Sequence, residues 1–217
     1  MARAFGPAAD LAVKATISAG ALGLVCLGLW AWWGPWSDYS TQVDMVQPQP
    51  VPFSHKHHVS DLGLDCRYCH TAVEVSSNAG LPPIETCMTC HSQIWTNATM
   101  LEPVRQAFAT GRPIRWRAVN YLPDYVYFDH SIHVAKGVGC TTCHGPIGDM
   151  PLTRKAQTLT MSWCLDCHRD PAPRLRPHDA VFDPHWTRTP DTPSGEALLA
   201  AYHIHPATLT DCSVCHR

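Results

Sequence analysis

Apolar residues gather at one end of this chain. Between Lys14 and Asp38 lie 23 residues without a charge, including the apolar run from Ile17 to Trp33. At about 1.5 Å per residue, a helix of that length crosses a bilayer core of about 30 Å. Trp30, Trp32, Trp33 and Trp36 follow where a cleaved secretory signal would carry small residues, and they resemble an interfacial aromatic belt, so an uncleaved anchor over residues 1–36 is favoured over a signal peptide. Arg3 and Lys14 precede the span while Asp38 and Asp44 follow it, which predicts a cytoplasmic N-terminus and an extracytoplasmic remainder. Cys26, preceded by Val25, reads as a small apolar residue of the span.

Beyond the span the pattern changes. Residues 37–52, with Gln47-Pro48-Gln49-Pro50-Val51-Pro52, read as an extended linker that holds the next domain off the membrane. The domain from Phe53 to Arg217 contains an internal repeat: FSHKHHVSDLGLDCRYCH from Phe53 to His70 and FDHSIHVAKGVGCTTCH from Phe128 to His144, matching at the Phe, two His, Val, Gly and the terminal Cys, Cys and His with one residue deleted. Each copy is followed by a further Cys-x-x-Cys-His, which gives modules at 53–91 and 128–168 and a last unit at 212–216. Met100 to Phe108 predicts a short helix packed between the modules, limited by Pro103 and Pro113.

Composition sharpens this picture. A formal charge of -2 argues against a nucleic-acid surface. The 11 Cys, 14 His and 19 Pro point to metal or haem chemistry in a chain poor in long regular elements. Five Cys-x-x-Cys-His motifs occur, at Cys66, Cys69 and His70; Cys87, Cys90 and His91; Cys140, Cys143 and His144; Cys164, Cys167 and His168; and Cys212, Cys215 and His216. Chance at this composition predicts roughly 0.04 copies of the pattern, which is read as haem c attachment. Two thiols three residues apart reach both vinyl groups of one haem, and the adjacent His then meets the iron. Zinc sites need a second thiol pair, and disulfides would not require the His.

Nine histidines remain for the second axial position. In each repeat copy a Phe-x-His-x-x-His element precedes the motif, and imidazoles three apart share one side of a helical turn, so His55, His58, His130 and His133 are expected to complete four bis-His irons. His57 reads as solvated, and His178 and His185 as structural. The fifth iron is assigned to Met161, with Met150 or His203 as alternatives, and a thioether ligand would raise its potential. Roughly 33 residues per haem are too few for much independent core, so five haem c groups are expected to form the apolar centre of a domain of loops and short helices. Arg112, Arg115 and Arg117 are candidate propionate partners, solvated by default.

With its single span, Pro-rich linker, FSHKHH and FDHSIH elements, Pro82-Pro83 ahead of CMTCH, and MSWCLDCHRDP, the chain resembles the pentahaem cytochrome c subunit of bacterial alternative complex III. That resemblance covers nearly the whole chain. It implies an electron-transfer subunit, not catalytic alone, in a cytoplasmic-membrane quinol oxidoreductase. The implied partners are polytopic quinol-binding subunits, an iron-sulfur subunit related to molybdopterin oxidoreductases, and a monohaem cytochrome c or soluble acceptor. A free-standing membrane-tethered shuttle is the alternative. An oxyanion reductase is disfavoured because no unusual attachment motif marks an open haem.

Overall fold

The structure, a computed structural model, describes residues 6–216, so Arg3 of the positive flank and the terminal Arg217 lie outside the described residues. The chain divides into two units, one ending at Gln42 and one from Val43 onward. In the first, α1 (Pro7–Trp33) places Pro7 in its first turn, where the missing N–H has no helical partner to lose. Its 27 residues span about 40 Å, and none is buried. A helix apolar on all sides suits a surround that is itself apolar, and this one is long and apolar enough to cross a membrane. Pro35 tightens its end into a 3₁₀ turn at Gly34–Trp36, and the Ser37 side chain then caps the short α2 (Asp38–Thr41).

The second unit is built from short helices joined by loops, with isolated bridges but no strands among the described residues. The Pro-rich stretch belongs to this unit instead of standing free. Val43 bridges Lys155, Val46 bridges Arg154, and Val51 is buried with Leu101 and Val104. The Gln49 amide exchanges two 2.9 Å hydrogen bonds with the backbone of Arg117. An extended segment satisfies few of its own polar groups, so a facing segment takes them.

The attachment motifs fall on α3 (Cys66–Cys69), α4 (Ile84–His91), α7 (Cys140–His144), α8 (Met161–Arg169) and α10 (Cys212–Cys215). Between them lie α5 (Glu102–Thr110), α6 (His130–Ala135) and α9 (Gly195–Ala201). The helix expected over 100–108 starts two residues later, since Thr99–Leu101 is a 3₁₀ turn and Pro103 occupies the first turn of α5. It packs on α4 of the first module, with Ile84 and Met88 against the cluster of Val51, Leu101 and Val104, where a position between the modules was expected.

The repeat shows how one extra residue is absorbed. The second copy runs as α6, capped by the Asp129 carboxylate on the amides of Ser131 and Ile132. The first copy, one residue longer, runs as a π-helical turn over Lys56–Asp61, with Leu62 N–H donating to His57 O five residues back. Both copies leave through a glycine in the left-handed region, Gly63 at φ 72° and Gly137 at φ 74°.

Among the described residues the buried apolar side chains form small separate clusters, Val51, Leu101 and Val104 in one and Ala172, Leu175, Leu198 and Leu199 in another. The buried charge is Arg176, 6% exposed. Its guanidinium donates to Ala180 O, Asp183 O and Thr141 Oγ1 and lies 4.9 Å from the Trp186 ring centroid. A Cβ on Gly139 would fall 2.1 Å from its Cζ. Gly139→Ala is therefore expected to cost about 1–3 kcal/mol by overpacking, or more if Arg176 is displaced. Gly63→Ala, where no atom lies within 4 Å and only the positive φ is strained, should cost about 1 kcal/mol. Thermal unfolding midpoints of the two variants check this, with Gly139→Ala the lower.

Candidate haem-attachment sites

Each attachment helix presents its two thiols one turn apart. A side-chain cap starts α3, where the Asp65 carboxylate accepts from Arg67 N–H at 2.8 Å just before Cys66. Among the described residues no three His, Cys, Asp or Glu side chains converge as a metal-ion site, so the thiol pairs are not gathered into zinc centres.

The fourteen histidines, all within the described residues, sort into two groups. His55, His58, His70, His91, His130, His133, His144, His168 and His216 are half-buried, whereas His57, His178, His185, His203 and His205 are exposed. Hydrogen bonding divides them in the same way. Nδ1 faces a backbone carbonyl in His70 (Gly80, 2.7 Å), His91 (Ile94, 3.2 Å), His168 (Leu209, 2.9 Å) and His216 (Tyr125, 3.1 Å). It does so too in His58 (Ser54, 2.8 Å), His130 (Ser77, 2.8 Å) and His133 (Asp129, 2.7 Å). A carbonyl only accepts, so Nδ1 carries a proton in these seven rings, and in the neutral imidazole Nε2 is then the nitrogen with the lone pair. His55 Nδ1 meets Thr153 Oγ1 at 3.0 Å.

His144 Nδ1 lies 3.2 Å from Asn120 Nδ2, while Asn120 Oδ1 is buried without a partner. Half a turn of the amide lets Oδ1 accept from Nδ1–H and gives this eighth ring the same tautomer. His178 and His185 instead engage Nε2, with Ala135 O at 2.9 Å and the Asp149 carboxylate at 3.1 Å. His57 is stacked on Trp95 at 5.8 Å.

The rings also meet in pairs. Ring centroids lie 6.3 Å apart in His58 and His91, 6.4 Å in His130 and His144, and 6.3 Å in His133 and His168. A metal–imidazole bond is about 2.0 Å, and a ring nitrogen lies about 1.1 Å from its centroid, so imidazoles on opposite sides of one iron have centroids about 6.2 Å apart. The donor set therefore fits a bis-imidazole haem at these three places. His55 lies near His70 and His144, and burial, then their charges, hold its pKa down at about 4; burial does the same for His144. Both rings are thus neutral at neutral pH, the form that binds a metal.

Phe53 stacks on His58 at 4.5 Å and meets His55 edge-on at 5.0 Å, and Phe128 repeats this with His133 and His130 at 4.5 and 4.7 Å. Met150 is fully buried, enclosed by protein in a manner that suits packing. Met161 is 63% exposed at the start of α8, and His203 is exposed with φ 51°.

Residues 126–217 match the family described as cytochrome c7 and related cytochrome c, and residues 37–115 match the class III cytochrome c family. Over 168 residues the chain is 36% identical to a protein of Nitratidesulfovibrio vulgaris, the multiheme cytochrome c subunit of menaquinone reductase, covering 68% of this chain and 78% of that one. This chain belongs to the multihaem cytochromes c. It is an electron-transfer protein with covalently bound haem c, and its two family matches fall one on each copy of the repeat. Of the residues around this cytochrome's candidate sites, Asn120, Thr153 and the carbonyls of Gly80, Leu209 and Tyr125 were not foreseen from sequence. No motif marks a carbonyl acceptor.

The His130 and His144 ring planes are 3° apart, while those of His58 and His91 cross at 68°. Crossed imidazoles give oxidised low-spin haem a larger maximum g value than parallel ones. His58→Ala is expected to remove one such signal and convert one haem equivalent to a high-spin or substituted species, whereas His57→Ala leaves the EPR spectrum unchanged.

Proposed function

We propose that this cytochrome carries five haem c groups and is the electron-transfer subunit of a membrane quinone/quinol oxidoreductase. The observation that carries this reading is the set of facing imidazoles whose Nδ1 atoms are already engaged. Haem c supplies a one-electron centre. The chain's residues would attach it through ten thiols, and the Nδ1 hydrogen bonds would hold the facing rings so that little rearranges when oxidation state changes. By the symmetry of the repeat, His55 pairs with His70, completing four bis-His sites with those of His58, His130 and His133. Met161 is the proposed second ligand at His216, since Met150 is enclosed by protein.

α1 would hold the protein in the cytoplasmic membrane with the second unit outside, the orientation favoured by Lys14 ahead of the span and Asp38 after it. The resemblance to alternative complex III supports quinol oxidation. Its partners would be polytopic quinol-binding subunits, an iron-sulfur subunit related to molybdopterin oxidoreductases, and a monohaem cytochrome c or soluble acceptor. The relative's name favours a second reading with the same parts, electron flow towards menaquinone. Denaturing mass spectrometry is expected to show five covalent haems. Affinity purification from gently solubilised membranes should recover a polytopic subunit, and reduction of the haems by an added quinol, against their oxidation by added menaquinone, separates the two directions. Recovery of the cytochrome alone, with no response to either, would contradict both.

A further inference from the structure

We propose that the five attachment motifs form a row in the spatial order second, first, third, fourth, fifth. Its ends are then Cys87 to His91 and Cys212 to His216, where electrons pass to and from partners. This rests on the reading of five haem sites above.

Each step of the row has its own contact. The first and second motifs touch through their inner residues, Tyr68 Oη and Thr89 Oγ1, 2.9 Å apart. The first and third meet at one loop, where Cys66 Sγ lies 3.7 Å from Phe182 O and Cys140 N–H donates to the adjacent Val181 O at 3.3 Å. The third and fourth are joined by α6, since His130 and His133, three residues apart on that helix, face His144 and His168. The fourth and fifth are joined where His168 Nδ1–H donates to Leu209 O at 2.9 Å, three residues before Cys212, and where α8 packs on the turn Pro206–Thr208.

Exposure agrees with this order. Of the ten paired thiols, Cys90 and Cys212 are exposed and the other eight are half-buried, so each proposed end motif has one exposed thiol and the three inner motifs have none. Sequence order would put the first motif at an end. The structure instead puts the first motif between the second and the third, because it touches both the Thr89 turn and the loop that also holds Cys140.

The test is the set of iron positions, each assigned through its attachment motif, in a crystal or cryo-electron-microscopy structure of the haem-loaded wild-type protein. The iron on His91 should have the iron on His70 as its nearest neighbour, with those on His144, His168 and His216 following in turn. An iron on His91 nearer to that on His144 than the iron on His70 is, or a fifth iron that is not terminal, overturns the order. Fewer than five irons, or irons without the facing imidazoles, would overturn the reading of the sites instead.

Discussion

The hydrogen bond that a main-chain acceptor takes from Nδ1–H is the interaction on which the rest of this structure depends. It fixes the tautomer, so Nε2 is left with a lone pair, and it fixes the ring's rotation about its own side chain. A bis-imidazole site needs both at each of two rings, which come from different parts of the chain. The acceptors are nearly all main-chain carbonyls, such as Gly80 O for His70 and Leu209 O for His168. The loops that carry them are thus held to a particular path even where they contain no helix. That accounts for a domain with few regular elements that still positions eight rings in one manner.

The same bond explains why two copies of a repeat make one unit. His55 of the first copy is anchored by Thr153 of the second module, and His130 of the second copy is anchored by Ser77 O of the first. Each module therefore supplies the acceptor that orients a ring of the other. Separated, each would keep its Cys-x-x-Cys-His motifs but lose the orientation of one of the rings that face them. The family matches divide the chain near residue 120, yet everything from Val43 onward is a single compact unit.

Local patterns were legible in the sequence, while the long-range geometry was not. Thiol spacing and the Phe-x-His-x-x-His element are patterns within one turn of chain, and the structure sets His58, His130 and His133 against His91, His144 and His168. Exposure of His57 and the Nε2 contacts of His178 and His185 likewise follow the reading of those rings as solvated or structural. Carbonyl acceptors carry no residue signature, so Leu209 serving His168 across 41 positions was invisible. The Pro-rich segment read as a free spacer because composition reports stiffness and not the partner that Gln49 finds in Arg117. Pro103 read as a limit on a helix that it in fact begins, since one residue is tolerated in the first turn and excluded beyond it.

A buried cation adds to the junction between the modules. Arg176 has no carboxylate partner among the described residues, and burial pulls its pKa down, yet it is held by the carbonyls of Ala180 and Asp183 and the hydroxyl of Thr141. Those two carbonyls bracket Val181 and Phe182, whose own oxygens meet Cys140 N–H and the Cys66 thiol. One guanidinium thus fixes the curvature of a loop that touches the first and third attachment motifs at once. Lysine, with a compact ammonium in place of a planar fork, would not span the same three acceptors. Gly139 is required for the same reason, since any side chain there would occupy the space the guanidinium fills. The approach of the first and third motifs is therefore set in part by donor geometry at one side chain, which lies beside the apolar cluster of Ala172, Leu175, Leu198 and Leu199.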